Sequence, residues 1–151
     1  MTEKTVIIIP ARYASTRFEG KPLALLTGAT GATKSLIQRS WETACEVPSV
    51  DEIFVATDDE RIAQAVRKFG GQVIMTSSNC RNGTERVAEA LASLAGPADI
   101  VVNLQGDAPL TPPWFVTGLI DEMKRDTTVQ MATPVLQCDG YTLNMFLEDR
   151  R

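Results

Sequence analysis

Three cations stand close together near the start of the chain. Arg12, Arg17 and Lys21 fall in the run Ile9-Pro10-Ala11-Arg12-Tyr13-Ala14-Ser15-Thr16-Arg17, which continues to Gly20-Lys21-Pro22. Arg offers a planar fork suited to phosphate oxygens and Lys a compact charge on a flexible stem. The small residues Ala11, Ala14, Ser15 and Gly20 let backbone N–H groups approach a ligand, so the run has the layout of a polyphosphate site. A second group, Asn103-Leu104-Gln105-Gly106-Asp107-Ala108-Pro109, supplies one carboxylate. Asp107 could hold Mg²⁺ shared with phosphates, because that ion keeps several waters and seldom has an all-protein cage. The alternative is an Asx-turn residue that shapes the loop, with Gly106 serving the tight turn. The third group is Asn82-Gly83-Thr84-Glu85-Arg86 at a helix start, where free N–H groups and the helix dipole favour an anion or a base carbonyl. Arg86 lies one turn in, within reach of phosphate or base. Equally, Asn82 or Thr84 could simply cap the helix.

Other motifs carry less. Gly28-Ala29-Thr30-Gly31-Ala32-Thr33-Lys34-Ser35 resembles a P-loop but has Thr33 where the pattern needs glycine, and it does not follow the first strong strand; a turn before a helix is the plainer reading. Asp58-Asp59 reads as a helix-starting pair. Trp41 and Phe69 are core candidates, and Trp114 and Phe115 are expected to pack beneath the site.

These groups need elements to position them. Val6 to Ile9 is an unbroken β-branched run, which suits a strand covered on both faces in a parallel sheet, and its carboxyl end opens into the cationic loop. Further strands are expected at Ile53 to Ala56, Gln72 to Met75 and Ile100 to Leu104, with a fifth at Val129 to Val135. Helical stripes fall at Ser35 to Glu46, at Ile62-Ala63-Val66-Phe69 after a Thr57-to-Glu60 capping signal, and at Thr84 to Leu94. Another helix begins at Thr111-Pro112-Pro113, with Thr111 as N-cap. From Leu136 the pattern weakens. The alternation implies βαβ units, hence an α/β fold with a doubly wound, mostly parallel sheet.

The 151 residues suit one domain, spanning 1–151. A net charge of −4 argues against a general nucleic-acid binder, so the positive charge that matters is local. There is no apolar run of about 18 residues to span a membrane and no leader pattern at the N-terminus, which makes the cytoplasm the default. Cys45, Cys80 and Cys138 are widely spaced and odd in number, as expected of free thiols. The chain has no histidine, which excludes His-dependent metal sites and Ser-His-Asp chemistry within it.

The motif blocks occur together in a known order. Ile8-Ile9-Pro10-Ala11-Arg12-Tyr13-Ala14-Ser15-Thr16-Arg17 with Gly20-Lys21-Pro22, Val55-Ala56-Thr57-Asp58-Asp59, Gly83-Thr84-Glu85-Arg86 and Val102-Asn103-Leu104-Gln105-Gly106-Asp107 resemble the 3-deoxy-manno-octulosonate (Kdo) cytidylyltransferases of lipopolysaccharide biosynthesis. The Tyr13-Ala14-Ser15-Thr16 version of the loop favours this family over the sialic-acid cytidylyltransferases. The resemblance implies a Rossmann-like fold of the nucleotide-diphospho-sugar transferase type. It also implies Mg²⁺-dependent transfer of CMP from CTP to the anomeric hydroxyl of Kdo, with release of pyrophosphate.

By that likeness Pro10, Ala11, Arg12, Arg17 and Lys21 hold the CTP base and phosphates, Asn82, Gly83 and Arg86 complete the nucleotide pocket, Gln105 touches the sugar, and Asp107 binds Mg²⁺. Arg12, Arg17, Lys21 and Asp107 are the residues expected to act on the reacting phosphates. A full-length member would be a homodimer. The chain departs from the family at Phe18-Glu19, usually Leu-Pro, at Cys80, Asn82 and Ala108, and in an insertion over Thr27 to Ser35 that could reshape the floor of the nucleotide loop. Family members also run well beyond this length, so the domain is expected to be incomplete at its C-terminus. The alternative reading is accordingly a nucleotide-binding fragment with impaired catalysis.

Overall fold

The computed structural model describes residues 3–14, 18–135 and 137–148. Its centre is strand β1 (Thr5–Ala11), in which all seven residues are buried. Ile7, Ile9 and Ala11 point to one face, Val6 and Ile8 to the other, and each set packs into its own apolar cluster. Burial on both faces is why the run shows no polar alternation. β1 lies between β4 (Glu52–Thr57) and β6 (Ile100–Asn103), and β5 (Gln72–Met75) extends the sheet beyond β4, all pairs being parallel. Two carboxylates fix the start of β1: Asp99 accepts the Lys4 N–H and Asp51 the Thr5 N–H, each at 2.7 Å.

Helices cover both faces. α1 (Leu36–Cys45), α2 (Glu60–Lys68) and α4 (Pro113–Arg125) place Ile37, Ala44, Ile62, Val66, Val116 and Ile120 against the Ile7/Ile9 face. α3 (Gly83–Ala92) packs Val87 and Ala90 against the Val6/Ile8 face. The chain runs outward from β1 to β4 to β5, then returns across the sheet to β6 on the other side of β1. The topological switch point therefore lies between the carboxyl ends of β1 and β6, where open α/β sheets bind ligands.

Several boundaries differ from the sequence expectation. Val129 to Val135 forms no strand: among the described residues nothing pairs with this stretch, and Met131 and Val135 face solvent. Thr57 does not cap α2, because it is the last residue of β4 and fully buried in the sheet; Asp59 takes the cap, its side chain accepting the Arg61 N–H. Likewise Pro112, not Thr111, occupies the N-cap position of α4, and no side chain caps that helix. Trp114 is exposed rather than packed, lying edge-on to Phe115, whereas Trp41 and Phe69 pair against the core as expected.

The Gly28–Ser35 segment is not a plain turn. It belongs to a hairpin of β2 (Leu25–Thr27) and β3 (Thr33–Ser35). Arg39 of α1 donates to the Leu26 and Ala32 carbonyls, at 2.8 Å each, and pins the hairpin to the helix. A further helix, α5 (Gly140–Glu148), follows where the pattern weakened, and buries none of its residues. Among the described residues no helix is long and apolar enough to cross a membrane. All three cysteines are free thiols.

Candidate functional site

Pro10 opens the site. In β1 the Ile8 carbonyl accepts the Leu104 N–H from the β6 side, and Pro10, two residues on, points the same way but has no N–H to continue the ladder. Pairing between β1 and β6 therefore stops at Pro10, and a cavity of about 290 Å³ opens at the carboxyl ends of these strands. Two glycines let other segments close on this proline. A Cβ at Gly106 would stand 2.8 Å from the Pro10 carbonyl oxygen, and one at Gly83 would stand 3.2 Å from the Pro10 ring. Gly106 is required by this close approach and not by turn geometry, since its φ is not in the left-handed region.

Three segments line the cavity. The end of β1 and the loop after it give Pro10, Ala11, Arg12, Lys21 and Pro22; the approach to α3 and its first turn give Cys80, Arg81, Asn82, Gly83 and Arg86; the β6 loop gives Gln105, Gly106 and Asp107. Leu36, at the start of α1, completes the lining. Every expected site residue among the described ones is thus brought to one cavity. Arg17 lies outside the described residues.

The charges are arranged unevenly. Arg12, Lys21, Arg81 and Arg86 line the cavity with a single carboxylate, Asp107, on a chain of net charge −4, while Glu85 and Asp58, outside the lining, pair with Arg81 and Arg86. Lys21 Nζ lies 2.6 Å from Asp107 Oδ2, which joins the β1 loop to the β6 loop, and both side chains are about half exposed. Gly20 starts a 3-10 turn, Lys21–Leu23, with φ 68°, a conformation that glycine adopts at little cost. The Asp107 loop is held from below by α1: Ser40 Oγ donates to the Gly106 carbonyl at 2.9 Å and Thr43 Oγ1 to the Pro109 carbonyl at 3.1 Å.

Arg86 behaves differently from the other cations. It is 3% exposed, its Nη1 donates to Thr76 Oγ1 and to the Ser77 carbonyl, and it forms an ion pair with Asp58 Oδ1 at 3.3 Å without a hydrogen bond. It binds the ends of β4 and β5 to α3, so its charge is already balanced. Asn82 acts as the N-cap of α3, its Oδ1 accepting the Glu85 N–H at 2.9 Å, so the capping alternative holds for it even as it lines the cavity. Gln105 Nε2 donates to Asn103 Oδ1 at 3.1 Å. Cys80 Sγ donates to Glu89 Oε2, and this bond raises the thiol pKa and lowers that of the carboxyl.

Arg81 is a lining cation that sequence patterning did not single out. It stands just outside the helix, held by Glu85 at 2.6 Å, and this pairing keeps the Glu85 carboxyl below its usual range. The available signal was its i,i+4 spacing to Glu85 beside the Asn-Gly start. The P-loop reading fails on geometry. Lys34 is held by both Glu42 oxygens at 2.8 Å, and no residue from 25 to 35 lines the cavity. The segment from Thr27 to Ser35 is closed off at its base by the Leu36 N–H bonding to the Ala24 carbonyl.

The family model for cytidylyltransferases matches residues 6–143. A 3-deoxy-manno-octulosonate cytidylyltransferase of Desulfatibacillum aliphaticivorans is 57% identical over 131 residues, 86% of this chain and 51% of that protein. One from Maricaulis maris is 51% identical over 129 residues, 85% of this chain and 48% of its own length. Among solved structures, a CMP:2-keto-3-deoxy-manno-octonic acid synthetase in complex with CTP superposes with a TM-score of 0.77 at 44% identity, over 84% of this chain and 50% of that one. The chain spans about half the length of the curated relatives it matches. With a parallel sheet, a cavity at its switch point and a family model covering most of its length, the chain belongs to the cytidylyltransferase family.

Proposed function

We propose that the cavity binds CTP and that the protein of which this sequence is characteristic transfers CMP from CTP to the anomeric hydroxyl of Kdo, releasing pyrophosphate. The observation that carries this reading is the convergence of Arg12, Lys21, Arg81 and the start of α3 on one cavity at the switch point, in a chain closely similar to Kdo cytidylyltransferases. Arg12 and Lys21 neutralise the outer phosphates, Pro10 and Ala11 with Gly83 supply the close-fitting backbone walls, and Gln105 meets the sugar. Arg17 is assigned to the phosphates by the family likeness. Catalysis of this kind rests on positioning and charge neutralisation, and needs no covalent enzyme intermediate. The acceptor oxygen bonds to the α-phosphorus as the bond to pyrophosphate breaks.

Mg²⁺ is the cofactor of this reading. Asp107 presents a half-exposed carboxylate that already attracts the Lys21 ammonium, and among the described residues no group of three or more His, Cys, Asp or Glu could cage a metal. One carboxylate fits an ion whose other ligands are phosphates and water. When bound there, Mg²⁺ would polarise the phosphates for attack. Lys21 would then turn from Asp107 to the phosphates.

The full enzyme is a cytoplasmic homodimer in this reading. A second reading, a nucleotide-binding unit without turnover, is favoured by one observation: Lys21, Arg81 and Arg86 are each already paired with a carboxylate. Pyrophosphate release from CTP with Kdo and Mg²⁺ separates the two. Release that depends on Kdo establishes the transferase; CTP binding without release leaves the nucleotide-binding unit.

A further inference from the structure

Tyr13, Gly20, Arg61 and Asp59 stand outside the cavity yet make a connected arrangement at the base of its cationic loop. The Gly20 N–H bonds to the Tyr13 carbonyl at 2.9 Å, which ties the residue after Arg12 to the residue before Lys21. The Tyr13 ring covers Gly20 so closely that a Cβ there would lie 3.0 Å from two ring carbons. Over the same ring lies Arg61, its Cζ 3.3 Å from the centroid. Arg61 is in turn held by two bonds to Asp59, Nε to Oδ1 at 3.0 Å and Nη2 to Oδ2 at 2.6 Å, and Asp59 is the N-cap of α2.

An exposed Arg beside a phosphate loop would ordinarily be read as a ligand. Here its fork is engaged by Asp59 and its face by the Tyr13 ring, and it does not line the cavity. We propose that Tyr13 and Arg61 are positioning residues: they hold the chain at Tyr13 against Gly20 and so fix the spacing of Arg12 and Lys21, the immediate neighbours of Tyr13 and Gly20, before a polyphosphate arrives. Ordering a loop in advance reduces the entropy lost on binding, and an Arg stacked on an aromatic face is a suitable fastener at a partly exposed position. This inference rests on the cavity being a nucleotide polyphosphate site.

The test measures two things on the 151-residue chain and on its Arg61→Ala, Arg61→Lys and Tyr13→Phe variants: hydrogen exchange of the Gly20 amide by NMR, and calorimetric titration with pyrophosphate and with CTP. Arg61→Ala is expected to speed Gly20 exchange and weaken both ligands about three- to tenfold, the range set by one cation–π contact. Arg61→Lys and Tyr13→Phe, which keep a cation and a ring, should restore most of both. Unchanged Gly20 exchange in Arg61→Ala would overturn the proposal. So would faster exchange with undiminished ligand binding. If the unmutated chain binds pyrophosphate but not CTP, the cytidylyltransferase reading falls while the variants still judge the clamp against pyrophosphate; if it binds neither, both readings fall.

Discussion

Two ion pairs with the same partners, a basic side chain and an Asp, have different work to do. Lys21–Asp107 is half exposed and joins two loops of the cavity, so breaking it costs little stability, as for most exposed pairs. Its cation is the better candidate for a ligand contact. Lys21→Ala should therefore weaken CTP binding by tenfold or more, about the value of one charge-assisted hydrogen bond, with the melting temperature nearly unchanged. Arg86–Asp58 lies inside the fold, where removing one partner strands the other charge. Arg86→Ala should cost about 3 kcal/mol of stability, measured by urea denaturation, and a loss of CTP affinity with no loss of stability would contradict this assignment. The sequence made both residues visible as cations near motif positions. It could not separate them, because burial of Arg86 depends on Asp58, Thr76 and Ser77 from two other strand ends.

At the scale of elements, the carboxyl ends of β1 and β6 define the cavity and α1 holds its far wall. Ser40 is buried and gives its hydroxyl to the Gly106 carbonyl, a contact between residues far apart in sequence. Ser40→Ala leaves that carbonyl without this donor, at a cost of about 1–3 kcal/mol, and should weaken the Mg²⁺ dependence of nucleotide binding by loosening the Asp107 loop. Calorimetry with and without Mg²⁺ checks it; an undiminished Mg²⁺ effect would show that the loop holds its shape by other means. The strands and helices around this wall were legible, because unbroken β-branched runs and 3.6-residue stripes both report burial directly. The hairpin was not legible, since Leu25–Thr27 and Thr33–Ser35 are short, largely exposed and stabilised by Arg39 from the next helix. Val129 to Val135 misled for the opposite reason: the residues favour a strand, but the sheet offers them no partner.

At the scale of the whole molecule, charge and coverage set the remaining expectations. With no histidine, no side chain of ordinary pKa titrates between about pH 5 and 8. Asp59, Glu85 and Glu89 are held below the usual carboxyl range by their hydrogen-bond partners, so the stability they add is present above that range and is lost as pH falls through it. Cys45, through partial desolvation and the nearby Glu42 and Glu46 carboxylates, and Cys80, through its bond to Glu89, are raised, so their contribution is lost only as pH rises past the thiol range. The melting temperature should stay level from about pH 5 to 8 and drop below about pH 4; a step near neutrality would contradict this. α5 buries no residue and exposes Tyr141, Phe146 and Leu147, so removing residues 137–151 should leave the denaturation midpoint unchanged. The central claim is a cytidine-triphosphate site at the switch point, and calorimetric titration of the chain with CTP, with and without Mg²⁺ and against ATP, tests it most directly. Binding that is strengthened by Mg²⁺, prefers CTP and is lost in Lys21→Ala is the expected result; a folded chain that binds no CTP, or binds it equally well without Lys21, would contradict it.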